Sequence, residues 1–181
     1  MTPTDTSLVA LALDHGATRA AIVDVPDVKF SETFRGLCKM NTCGNFRTNW
    51  KCPPAVGGYE VLRDQVLRFH KGLVIQTVYR LDDSFDFDGM VKAKSIHERV
   101  FRSIWDLIRR EKLLDSLLAL NAGICNYCEK CTYPDHDCRF PEEALASVEA
   151  YGIDVTALVT ACGIPYNNGP ASVSYIGAVF Y

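Results

Sequence analysis

Seven of the eight cysteines in this 181-residue chain fall into two short groups, and any fold the chain adopts must gather each group around a common point. Cys38, Cys43 and Cys52 make the first group; Cys125, Cys128, Cys131 and Cys138 make the second. Two residues between successive cysteines let a looping backbone wrap its thiolates around the corners of an iron–sulfur cube. Cys125, Cys128 and Cys131 have that spacing, with Gly123 just ahead of them where the chain must turn tightly. Pro53 and Pro54 follow Cys52, and Pro141 closes Cys138-Arg139-Phe140-Pro141. In two-cluster ferredoxins the proline-following cysteine ligates the other cluster, so Cys52 and Cys138 are both candidates for a crossing role.

Structural zinc is the main rival, but it usually takes two C-x2-C hooks separated by roughly a dozen residues. Here three cysteines run consecutively and a second such hook is missing. Disulfides rank third because nothing in the chain points to secretion. Cys162, between Ala161 and Gly163, reads as a small buried hydrophobe at a helix end. The choice matters: if Cys162 is an eighth ligand, two closed clusters suit an electron carrier, and if it is not, one iron stays open for chemistry.

A chain of this length is most simply one domain over residues 1–181, with residues 1–18 expected as a flexible terminus. Its formal charge of −3, with Lys and Arg scattered singly, leaves no footprint for a nucleic-acid backbone. Met1 to Ser7 lacks a basic region and Leu8 to Leu13 is too short for a signal peptide. Nor does any stretch approach the roughly 20 apolar residues of a membrane helix. A cytoplasmic location is therefore expected, where thiols stay reduced and clustered cysteines usually mean metal or catalysis.

Hydrophobic periodicity predicts α+β or α/β architecture: a small mixed sheet of about four strands, packed helices and two cysteine-bearing loops. Arg19 to Val28 reads as a strand interrupted by Pro26, Tyr59 to His70 as a helix, and Leu73 to Leu81 as the clearest strand. Asp86 to Lys112 is the longest helix, with a stripe of Met90, Ala93, His97, Phe101, Ile104 and Ile108. Leu113 to Leu120 fits strand or helix. Pro141 is expected to open a helix over Glu142 to Tyr151, closed by Gly152, whose positive end would face Cys138. Asp154 caps a short helix ending near Gly163, and Ser172 to Tyr181 is a final strand.

Around the cysteines, Arg35, Lys39, Arg47 and Lys51 flank the first group, and Lys130 and Arg139 the second. Positive charge there would favour a reduced cluster. Phe46, Trp50 and Tyr59 are expected to shield a cluster from water while filling core. His97 reads as a core histidine with one hydrogen-bond partner, and His136 as an exposed loop residue. Ser84 to Gly89 mimics part of a calcium loop, but Ser95 stands where the closing glutamate belongs.

Read in order, the signatures are R-x2-C-x4-C (Arg35, Cys38, Cys43), W-x-C-P-P (Trp50, Cys52, Pro53, Pro54), G-x-C-x2-C-x2-C (Gly123 to Cys131) and C-R-x-P (Cys138, Arg139, Pro141). S-x-E-A-x-G-I-D (Ser147, Glu149, Ala150, Gly152, Ile153, Asp154) follows. This combination, spanning nearly all of the chain beyond residue 18, resembles an uncharacterised prokaryotic family common among anaerobes, the predicted metal-binding proteins. The resemblance implies metal binding through those seven cysteines and oxygen sensitivity. Cys162 lies outside the shared signature. Glu149, within it, is expected to face solvent or pair with a basic residue.

The leading expectation is a cytoplasmic iron–sulfur protein with two [4Fe-4S] clusters that passes electrons to or from a redox partner protein. An enzyme with an open iron on a three-cysteine cluster is the second reading, and a zinc-stabilised interaction module the third. A homodimer is compatible with all three.

Overall fold

Chain order in the computed structural model, which describes residues 4–181, runs α1 (Asp5–Asp14), β1 (Arg19–Asp24), α2 (Glu32–Lys39), α3 (Tyr59–Val66) and β2 (Lys71–Arg80). It continues through α4 (Phe87–Arg110), β3 (Leu118–Asn121), β4 (Ala146–Ser147), α5 (Val155–Ala161) and β5 (Ser172–Phe180). The strands form one mixed sheet in the order β1-β2-β5-β3-β4. All neighbours are antiparallel except β3 and β4. The expected α+β class holds, with five strands instead of about four.

Residues Gly72 to Thr77 of β2 are all buried, so the sheet needs cover on both faces. Successive side chains supply it in alternation. Leu73 and Ile75 join Phe101, Ile104, Trp105 and Ile108 of α4, while Val74 joins Leu62, Val66, Ile153 and Leu158 on the other side. Full burial of such a side chain contributes roughly 1.5–3 kcal/mol. The stripe read from sequence does face the sheet: Ala93, His97, Phe101, Ile104 and Ile108 are buried, and Asp86 caps the helix by accepting from the Gly89 amide at 2.8 Å. Phe101 sits so close to β5 that a Cβ on Gly177 would lie 2.4 Å from its ring.

Three sequence expectations change. Met1 to Pro3 lie outside the described residues, but the rest of the terminus expected as flexible carries α1, whose Leu8 and Ala12 are buried against the α4-side core. The helix expected to run to His70 stops at Val66, because the His70 amide donates to Tyr181 and its carbonyl accepts from Val25, recruiting that residue to the sheet margin. The helix expected over Glu142 to Tyr151 is instead a turn, the short strand β4 and a 3-10 turn at Glu149–Tyr151. Leu145 joins one core and Ala146 the other, the alternation of a strand, so pairing with β3 overrides the local helical pattern. With that helix goes the expected helix-end charge near Cys138. Gly152 does end the segment, at φ 75.

Two smaller readings are resolved. β1 ends at Asp24, and Pro26 lies in a 3-10 turn at Val25–Asp27. Leu113 to Leu120, ambiguous by periodicity, supplies β3 at its end.

Candidate metal centre

Apart from Cys38, at the end of a helix, the clustered cysteines lie on loops. Ser31 caps α2 by accepting from the Thr33 amide, and Cys38 falls in the last turn of that helix. Cys43 follows on an exposed turn and Cys52 on the loop leading to α3. Arg35, three residues before Cys38, ties these pieces together. Its guanidinium donates to the carbonyls of Ala150 and Gly57, both at 2.6 Å, so one side chain joins α2, the close of the Cys52 loop and the Glu149–Tyr151 turn.

The second group follows directly from β3. Gly123 adopts φ +69 just before Cys125, the tight turn expected of it, and a Cβ there would lie 2.8 Å from Lys94 Cε. Arg139 donates to the Lys130 carbonyl and Thr132 Oγ1 to the Asp137 carbonyl, closing the loop that carries Cys131 and Cys138.

The seven cysteines divide between two adjacent cavities. Cys125, Cys128, Cys131 and Cys138 share a narrow pocket of about 20 Å³. Cys38, Cys43 and Cys52 line a cavity of about 740 Å³, within the size range of small-molecule sites. Lys94, Glu149, Asn126, Tyr166 and Tyr175 lie on its other walls. Among the described residues, no three His, Cys, Asp or Glu side chains are drawn together tightly enough to hold a single metal ion.

The loops interlock between the two cavities. Trp50, from the first group's loop, lines the four-cysteine pocket, donates from Nε1 to the His136 carbonyl at 3.0 Å and stacks edge-on against Tyr133. Asn49, only 3 % exposed, lines that pocket too, yet its amide donates to Cys52 Sγ at 3.3 Å. Burial pushes the Cys52 thiol up, the Asn49 hydrogen bond pulls it down, and the neighbouring Cys43, Cys38 and Cys125 push it up again. Burial raises the Cys38 thiol as well, opposed by the Arg35 charge and reinforced by Cys43 and Glu149.

Cys162 joins neither set. It caps the C-terminus of α5, packs against the core, and burial alone pushes its thiol up to about 11. Where the sequence reading had a small buried hydrophobe, the side chain is partly buried. Of the aromatic residues, Phe46 lines the larger cavity and Trp50 the smaller, whereas Tyr59 packs against Gly152. His136 is exposed and bonds through its backbone, its carbonyl accepting from Trp50 and its amide donating to the Thr132 carbonyl at 3.0 Å. His97 has two partners where one was expected: Thr77 at 2.8 Å and Asn121 at 2.9 Å. Two site residues escaped sequence reasoning. Asn49 had no spacing signal, and Glu149, although inside a motif, gave no reason to expect it on a cysteine-lined wall.

The chain is thus a single α+β domain that carries two thiol-lined pockets beside a small mixed sheet. The chain belongs to the family described as "Predicted metal-binding protein (DUF2284)", whose family model matches residues 21–181. No curated protein and no solved structure matches it. Among the described residues no helix is long and apolar enough to cross a membrane.

Proposed function

We propose that this is an oxygen-sensitive iron–sulfur protein of a reducing, cytoplasmic compartment, with one [4Fe-4S] cluster on Cys125, Cys128, Cys131 and Cys138 and another on Cys38, Cys43 and Cys52. The division of seven cysteines into an enclosed set of four and an open set of three carries the reading. Soft thiolates fit such clusters. Each thiolate of a cube binds a different metal, so the sulfurs stand farther apart than around one zinc, where a Zn–S bond of about 2.3 Å brings them within about 4 Å of each other. Bound clusters would supply one-electron transfer, and the three-cysteine set leaves one metal without a cysteine.

The chain's own residues then take distinct roles. The set of four, partly buried in its narrow pocket, has a cysteine for every corner of a cube and suits an electron relay. Tyr127 and Phe140 flank it as a ring pair 5.2 Å apart, 43 % and 46 % exposed, an apolar face fit for a redox partner protein. The open set faces a cavity large enough for a substrate, which favours ligand chemistry there over simple relay. Asn49 stands between the two.

Two experiments follow. Cys162→Ala is expected to keep all the iron and sulfide of the wild type; loss of one cluster would make Cys162 a ligand and overturn the assignment. Asn49→Ala removes a hydrogen bond to the Cys52 sulfur that favours the reduced state. A potentiometric titration followed by electron paramagnetic resonance should find one centre shifted to more negative potential. An unchanged or more positive midpoint would rule out that role.

A further inference from the structure

Resting on this two-cluster reading, we infer that the carboxylate of Glu149 is the displaceable non-cysteine ligand of the three-cysteine centre. Glu149 shares the 740 Å³ cavity with Cys38, Cys43 and Cys52. Its placement is built in by Arg35: the guanidinium that anchors the Cys38 helix grips the Ala150 carbonyl, the residue immediately after Glu149, and also holds the Gly57 end of the Cys52 loop. The turn carrying Glu149 therefore cannot move independently of the segments carrying two of the three cysteines.

The side chain is also free to act. Glu149 is exposed and, among the described residues, has no ion pair and no side-chain hydrogen bond. The other charged group on the cavity wall, Lys94, leans toward Glu98 at 3.9 Å, and Glu98 is held more closely by Arg102 at 3.1 Å. Glu149 is thus the one carboxylate on this wall. Cluster iron prefers thiolate sulfur but also takes a carboxylate oxygen, and that harder, weaker donor exchanges more easily than a fourth cysteine would. A ligand entering the cavity can take its place. The four-cysteine centre offers no such position.

Mild oxidation tests this. With ferricyanide as oxidant, a weakly held corner iron leaves as the ferrous ion while one electron passes to ferricyanide, and a three-iron cluster remains with its own paramagnetic signal. Protein purified without oxygen is titrated with ferricyanide, and retained iron and that signal are followed in wild type, Glu149→Ala, Glu149→Gln and Glu149→Cys. The expected order of iron retention is Cys, then wild type, then Gln and Ala, with about one iron lost per chain from the last two at an oxidant level the wild type withstands. Glu149→Gln keeps the side chain's shape, so a folding defect would separate it from Glu149→Ala. Equal retention in wild type, Gln and Ala would overturn the inference while leaving two clusters in place; absence of iron and sulfide from the wild type would overturn the reading beneath it.

Discussion

Cys43→Ala will strip the protein of about half its iron and sulfide, about four atoms of each per chain, and leave the other cluster's signal intact. The size of the effect follows from ligand number. The first group has only Cys38, Cys43 and Cys52, and in the proposed assignment removing one thiolate would leave two on a cube that needs most of its corners held. Cys43 is exposed on a turn, so the loss reads out metal binding and not core packing. The four-cysteine pocket should be indifferent, because none of the first group's cysteines lines it. Metal analysis with sulfide determination checks this. Loss of all iron would mean that the groups share one cluster, and loss of none would remove Cys43 from the ligand set.

The second large effect is acid sensitivity at His97, a residue 1 % exposed in the α4 core. Asn121 Oδ1 can only accept, so Nε2 carries the proton and donates at 2.9 Å; Nδ1 then accepts from the Thr77 hydroxyl at 2.8 Å. Both bonds fix the neutral ring. Burial lowers its pKa from 6.5 to about 4, with the Asn121 bond opposing and the Lys94 charge assisting. The folded chain therefore binds fewer protons than the unfolded chain between those two values, and stability rises with pH across that window. Full above about pH 6.5, this contribution falls by about 3 kcal/mol as pH drops toward 4. Urea unfolding at pH 7 and pH 4.5 checks it against His97→Gln, which cannot titrate and should show a shallower loss. Equal losses in both proteins would contradict the account.

That buried chain of hydrogen bonds also bears on the metal site. Asn121 ends β3, and only Ala122, Gly123 and Ile124 separate it from Cys125. Thr77 and His97 thus anchor the root of the four-cysteine loop to β2 and α4, and acid that loosens the anchor is expected to loosen the loop.

Periodicity is informative where one face of an element decides its structure. β2, α4 and the Asp154-capped α5 follow from alternation, a stripe at spacings of three and four, and a side-chain cap that accepts from Ala157 at 2.9 Å. It fails where a long-range partner decides. Pro141 to Tyr151 has a helix opener, helix-forming residues and a closing glycine, yet β3 recruits Ala146 and Ser147 as a fifth strand. The seven cysteines were legible as two groups because close spacing along the chain keeps each set near one cavity. Their neighbours were not. Asn49 reaches Cys52 through a loop conformation, and Glu149 reaches its wall through the hydrogen bond that Arg35 makes to the next residue, Ala150, 115 residues from Arg35 along the chain.

Iron, zinc and acid-labile sulfide per chain, determined on protein purified without oxygen, test the central claim most directly. Two clusters predict about eight iron and about eight sulfide with little zinc. About one or two zinc and no sulfide would contradict the redox account and leave a zinc-stabilised module in its place.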